Sequence, residues 1–395
     1  MKPSQTSGFV SRKKEEKERN FSFSNSSICQ QEEKMSAGAV WYRLSLLVLM
    51  PDVLLWAARI SCRNEAGEAV DWFVVYKLPR YTMNASAGSG LDYMYLDPSS
   101  RNWELSRHFI NTSQSALGQT LDQLYRTYKD QENSTAGAYM IYNDAIPSSK
   151  NYSTRRGHTK GILLLDRSQG FWLIHSIPRF PPFPEQGYGY PASGRRNGQT
   201  AICVTYTYDQ FPEIVTQLLY YNPNVYNCSI PHPFQQALPN LQKMCLGSSL
   251  PWITVKHLTK LKSAGGENFL HFAKSHFFVD DIYVAWMAQN LETDLLAESW
   301  QLQGQDLPSN CSLPRHVYNV KEIKIPFHSY FYSNYDHSKW CVSWRYEDQW
   351  TCIGDLNRAT QQTWRSGGFI CTQNQNIYKA FRGLVSYYKS CNVTN

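Results

Sequence analysis

Gly157-His158-Thr159-Lys160-Gly161 and Asp336-His337-Ser338-Lys339-Trp340 decide how this chain is read. His-x-Lys stands once in each half. In an extended strand, residues two apart share a face, so each triplet sets an imidazole beside an ammonium and turns its middle residue away. That pair suits a phosphate ester. One triplet alone is a weak signal because short pairings arise by chance; two, one in each half, are stronger.

Outward from the first triplet, Ile162-Leu163-Leu164-Leu165 is an apolar run of strand length, and Gly170-Phe171-Trp172-Leu173-Ile174-His175 reads as its hairpin return. Upstream, 71–79 reads as a buried opening strand, 90–96 and 138–142 as further strands, and 118–128 as a helix spaced through Leu121, Leu124 and Tyr125. The proline-rich stretch 178–191 can be neither central strand nor helix. It runs from His175 to Arg195 and Arg196, and two readings stay open: a basic, aromatic wall of the site, or a surface connection. Downstream, 200–208 reads as a strand and 212–221 as a short helix. A strand-like start at 269 passes into a long helical pattern through Ile282, Trp286, Ala288 and Leu295. A strand at 317–325 and a final helix at 377–388 complete a mixed α/β order. After a strand, Gly354-Asp355-Leu356-Asn357 either directs the Asn357 amide into the site or caps a loop.

The 395 residues, 42% of them hydrophobic, suffice for one large domain or two ordinary ones. Aromatic content of 14% fits a broad polar binding surface or an extracellular β-rich fold. The net charge is +7, but from Cys62 onward 30 basic residues face 26 acidic ones, which is no polybasic tail. All ten histidines lie in that part, so acidification makes it more positive and favours a polyanionic partner.

Residues 1–34 are polar and charged without apolar periodicity, and read as disordered or as not translated in the usual product. Met35 is an alternative start, and 35–61 reads as a signal peptide, with Arg43 ahead of an apolar run that Pro51-Asp52 interrupts. The competing reading is a membrane anchor, for which the uninterrupted run is short. Sequons at Asn84, Asn111, Asn133, Asn151, Asn227, Asn310 and Asn392 also point to secretion. Ten cysteines with no Cys-x-x-Cys pairing argue for disulfides in an oxidising compartment rather than zinc.

With these residues assembled, the sequence resembles the deoxyribonuclease II family, in particular its beta form, from Cys62 to Cys391. Val70-Asp71-Trp72-Phe73, Tyr76-Lys77-Leu78-Pro79, both His-x-Lys stretches, Gly170 to Ser176 and Cys352-Ile353-Gly354-Asp355-Leu356-Asn357-Arg358 carry the resemblance. It implies a divergent phospholipase D-like pseudo-dimer, with a first half at 62–210, a second at 211–395 and one shared active site. In that superfamily an aspartate stands five residues beyond each lysine. Here Leu165 and Trp344 occupy those places, and Gly-Ser-x-Asn survives only as Gly354-Asp355-Leu356-Asn357. Other groups must therefore orient the imidazoles.

The resemblance implies hydrolysis of DNA in acid, in lysosomes or outside cells, leaving 3′-phosphate and 5′-hydroxyl ends and needing no cofactor. Histidine can attack phosphorus, a protonated imidazole can supply the leaving oxygen with a proton, and two lysines can neutralise the non-bridging oxygens. His158 is assigned as nucleophile and His337 as general acid, with Lys160 and Lys339 on the phosphate. His175 is carried over as essential, the alternative being a structural histidine. Asn357, Arg195 and Arg196 are expected to bind substrate. No carboxylate cluster at metal-ligand spacing accompanies these residues, so no metal is expected. The family further implies disulfides Cys62–Cys203, Cys311–Cys391 and Cys352–Cys371, with Cys228–Cys245 as a local fourth; Cys341, two residues past Lys339 and on the same strand face, reads as a free buried thiol. The competing readings are an inactive DNA- or polyanion-binding secreted glycoprotein and a lipid phosphodiesterase. The latter would want an apolar tunnel where Arg155, Arg156, Arg195 and Arg196 stand.

Overall fold

The computed structural model describes residues 59–81, 88–130, 137–149, 152–248, 250–301, 304–326 and 329–391. The stretch 1–34, almost all of 35–61, and the sequons at Asn84, Asn133, Asn151 and Asn392 lie outside the described residues.

A short pair, β1 (Cys62–Arg63) and β2 (Ala69–Val70), precedes the first large sheet. That sheet uses β3 (Trp72–Lys77), β4 (Tyr93–Leu96), β5 (Glu104–Leu105), β6 (Ala138–Asn143), β7 (Lys160–Leu165), β8 (Gln169–His175), β9 (Gln199–Thr207) and β10 (Val225–Ser229). Their order is β10-β6-β7-β8-β9-β3-β4-β5, antiparallel throughout. The second sheet uses β11 (Lys256–Lys262), β12 (Asn268–Lys274), β13 (Leu295–Ser299), β14 (Val317–Ile325), β15 (Ser329–Tyr332), β16 (Lys339–Ser343), β17 (Thr351–Gly354), β18 (Gly367–Thr372) and β19 (Val385–Lys389). It runs β11-β12-β18-β17-β16-β13-β14-β15, with β19 also on β14 and only β13–β14 parallel. The class is mixed α/β, as the sequence implied. Six strands correspond in order, β6-β7-β8-β9-β3-β4 with β13-β16-β17-β18-β12-β11, and each triplet's lysine opens the second strand of its run.

Strand alternation distributes the apolar side chains over three cores. Phe171 and Leu173 of β8 face a core with Leu117, Leu121 and Leu124 of α1 (Ala116–Lys129), whose first turn is capped by Ser115 accepting from the Gly118 N–H at 3.0 Å. Trp172 and Ile174 face the opposite core. That central core joins both sheets, since it also takes Trp340, Val342, Ile353 and Ile370, with Leu218 of α2 (Phe211–Tyr221) and Phe381 of α5 (Gln375–Arg382). Between them α3 (His232–Ala237) and α4 (Pro239–Cys245) add Phe234 and Leu241. The third core lies under the π-helical turn Tyr283–Met287, where Trp286 and Met287 cover Phe272, Leu295 and Phe369.

Two element expectations are corrected. The helical pattern read through Leu295 ends at Asn290, Glu292 takes a left-handed φ of 55°, and residues 295–299 form β13 between β14 and β16. A short buried apolar run suits a central strand as well as a helix, and pairing partners decide. The final helix stops at Arg382, and β-favouring Val385, Tyr387 and Tyr388 leave it to pair with β14.

Disulfides join Cys62 to Cys203, Cys228 to Cys245, Cys311 to Cys391 and Cys352 to Cys371. Cys341 is a buried free thiol in the third core. Of the described sequons, the Asn227 Oδ1 accepts from the Tyr139 hydroxyl at 2.8 Å and the Asn310 Oδ1 from the Ser312 N–H at 2.9 Å, while the Asn111 Oδ1 is buried without a hydrogen-bond partner. No helix among the described residues is long and apolar enough to cross a membrane.

Candidate active site

Each lysine of the two triplets begins a strand, and each histidine stands two residues earlier, on the approach to it. The histidine backbones are held by the opposite half. His158 N–H donates to the Ser366 carbonyl at 2.9 Å, just ahead of β18, and His337 N–H donates to the Gly198 carbonyl at 2.9 Å, just ahead of β9. Because β9 and β18 hold matching places in their sheets, the two clamps are reciprocal. The glycines are steric necessities: a β-carbon at Gly157 would collide with the Tyr221 carbonyl, and one at Gly198 with the Asp336 carboxylate.

The halves meet at a hollow of about 410 Å³ lined by His158, Lys160, Arg196, His337 and Asn357, together with Asp144. Lys339, His175 and Arg195 are not on its lining. Lys339 is buried, with Nζ donating to the His337 carbonyl and lying 3.2 Å from the His337 Nδ1. His175 ends β8 behind Lys160. Its Nδ1 accepts from the Ile177 N–H at 3.1 Å, which leaves Nε2 as the protonated nitrogen, buried without a partner. Burial, then the Lys160 charge, holds this ring neutral down to about 3. Arg195 is exposed, and its carbonyl accepts from the buried Lys77 Nζ at 2.9 Å.

The sequence could not name what orients the imidazoles; the structure supplies Asp144. One of its oxygens is 2.6 Å from the His158 Nδ1 and 3.4 Å from the Arg365 Nη2, and the other is 2.7 Å from the Lys160 Nζ. Nδ1–H therefore faces the carboxylate, and Nε2 presents its lone pair. Burial alone would raise the Asp144 pKa, but Lys160 and then His158 hold it well below the usual carboxylate range. Burial and the Lys160 charge push His158 down to about 3 against the attraction of Asp144.

The second half answers with a different residue. Asn143 pairs with Lys160 and Ser299 with Lys339, so by register Trp300 holds the place in the second sheet that Asp144 holds in the first. The Trp300 ring sits 4.9 Å from the His337 ring, and its backbone N–H donates to the Asn357 Oδ1 at 3.2 Å. Arg358, buried against Asp281 at 2.9 Å and the Pro308 carbonyl at 3.0 Å, anchors the turn that presents Asn357. The His337 Nδ1 lies 3.2 Å from the Ser176 carbonyl. Burial, followed by Lys339 and Lys160, pushes His337 well below the ordinary histidine value. Burial and Lys160 also lower Lys339 to about 7.

The deoxyribonuclease II family model matches residues 61–391. The chain belongs to the deoxyribonuclease II family. It is 56% identical to Deoxyribonuclease-2-beta of Homo sapiens over 360 residues, 91% of this chain and 99% of that protein. Deoxyribonuclease-2-beta of Rattus norvegicus is 54% identical, covering 91% and 100% of the two chains. Deoxyribonuclease-2-alpha of Mus musculus is 41% identical, covering 88% and 98%. Resemblance to the beta form thus exceeds that to the alpha form.

In this deoxyribonuclease II chain, sequence reasoning missed Asp144, Trp300 and Arg365. Asp144 stands 14 residues before His158 and, like Trp300, is marked only by strand register, while Arg365 reaches His158 from 207 residues away. The chain also buries Asp355; burial, opposed by the Lys160 charge and a hydrogen bond from the Lys160 backbone, raises it to about 8. A folded-state pKa raised above the unfolded value of roughly 3.9 means that its contribution to stability is greatest in acid and is lost as pH rises towards 8. Asp355→Asn is therefore expected to gain stability relative to the parent as pH is raised from 5 to 8. Denaturant unfolding at both pH values checks this, and a gap that does not change with pH would refute it.

Proposed function

We propose that this chain, a nuclease of the deoxyribonuclease II type, hydrolyses DNA phosphodiesters in acid without a metal, through a covalent phosphohistidine, at a phospholipase D-like site shared by two half-molecules. The observation carrying this reading is that His158, Lys160 and His337, drawn from both triplets, line one hollow, with reciprocal backbone clamps between the halves. The His158 Nε2 attacks phosphorus while Asp144 holds Nδ1. His337 gives its proton to the departing O5′, and water then releases the phosphate on the 3′ side, leaving a 5′-hydroxyl on the other fragment. Lys160 and Lys339 balance the charge that develops on the non-bridging oxygens, and Asn357 and Arg196 hold the flanking chain. His175, behind Lys160, acts as a positioning residue. Four disulfides and the sequons suit a lysosomal or secreted setting.

The acid requirement has two physical sources. Lys339 loses its charge as pH rises through about 7, and His337 must be protonated although burial and Lys339 oppose it. At the other limit, His158 stays an unprotonated nucleophile down to about 3. The expected kcat/KM profile on plasmid DNA is a bell whose acid limb lies near 3 and whose alkaline limb, set by deprotonation of His337, lies below the ordinary histidine value, unchanged by a chelator. Activity that rises above pH 7, or that disappears in EDTA, would refute the mechanism.

A further inference from the structure

A second hollow of about 750 Å³ opens beside the catalytic one and shares Arg196, Asn197 and Trp300 with it. Its remaining wall includes Lys321, Tyr332 and the segment 333–335, which leads directly into His337. The hollow therefore adjoins the general acid, and Trp300, packed on the His337 ring, is the ridge between the two spaces. Its volume falls in the range of ligand sites, roughly 300–1,000 Å³.

The lining mixes aromatic faces with charge. Tyr332 is 41% exposed, Arg196 is exposed, and the Lys321 Nζ is steadied by Gln301 and by Asp306 at 3.5 Å. Aromatic faces beside a cation suit a nucleobase and its phosphate. We propose that this hollow binds the nucleotide on the leaving side of the scissile bond, with its base against Tyr332 and its next phosphate on Arg196. The assignment rests on the roles given above to His158 and His337. As the bond from His158 Nε2 to phosphorus forms, the P–O5′ bond breaks and O5′ takes the His337 proton; the new 5′-hydroxyl then belongs to the nucleotide held in the second hollow.

Two substrates separate the sides. Thymidine 3′-(p-nitrophenyl phosphate) places p-nitrophenol, and no nucleotide, on the leaving side, whereas an oligothymidylate fills it. Tyr332→Ala is expected to lower kcat/KM on the oligonucleotide on the order of 10-fold and to leave p-nitrophenol release within about twofold; Tyr332→Phe should restore oligonucleotide cleavage. Equal loss on both substrates, loss on the p-nitrophenyl ester alone, or no loss on the oligonucleotide would overturn the assignment. If the parent cleaves DNA but leaves 5′-phosphate and 3′-hydroxyl ends, the roles of the two histidines fall and this assignment falls with them.

Discussion

His337→Ala is expected to lose about 10²–10⁴ in kcat on DNA, the usual contribution of a general acid, and to recover most of that loss on a p-nitrophenyl diester, whose leaving group needs no proton. His158→Ala should recover nothing. Removal of a nucleophile costs on the order of 10⁶ in enzymes that use one, and no leaving group replaces the bond to phosphorus. The asymmetry follows from the structure around the rings. His158 is held by a carboxylate at Nδ1, which aims a lone pair from Nε2. His337 has a tryptophan in the equivalent place and a lysine 3.2 Å from Nδ1, an environment that makes its imidazolium a ready proton donor. Acid quenching of the parent with labelled substrate should trap phosphate on His158. Rescue of His158→Ala by the activated ester, or a label retained in that variant, would exchange the roles.

Asp144→Asn should damage both stability and turnover. In the parent, one buried carboxylate serves His158, Lys160 and Arg365. Neutralising it leaves two buried cations without a counter-charge, a change that costs about 3–5 kcal/mol in comparable buried pairs. Because its folded-state pKa is depressed, the Asp144 contribution is complete above the unfolded value of about 3.9 and is lost only as pH falls through the lower folded value. The full deficit should therefore appear at pH 5, where the enzyme is expected to work. Turnover should fall on the order of 10⁴-fold, as when a histidine loses the carboxylate that fixes its tautomer. Chemical denaturation at pH 5, followed by kcat on the folded fraction, checks both effects; a variant within 1 kcal/mol of the parent would show that Asp144 does not carry these charges.

Much of the site could be read from local pattern. A lysine at the start of an apolar run, with a histidine two residues before it, is visible without any partner, and so are β7, β8, α1 and α2. Period-two and period-3.6 apolar spacing is set by neighbours along the chain. Recurrence of the triplet strengthened it as a signal, while one shared site was implied by the family resemblance. Where local pattern was ambiguous, as over 295–299 and 385–389, the outcome depended on which strand lay alongside, and sequence spacing does not contain that information.

The groups that make the histidines chemically unequal belong to this second kind. Asp144 reaches His158 because β6 pairs with β7, Trp300 reaches His337 because β13 pairs with β16, and Arg365 comes from a segment 207 residues away from His158. The sequence by itself singled out the candidate reacting residues, His158, Lys160, His337 and Lys339, by their residue types and spacing. Their protonation was decided by the tertiary structure, because desolvation and the charges that folding gathers around each ring, Lys160 and Asp144 at His158 and Lys339 and Lys160 at His337, set it.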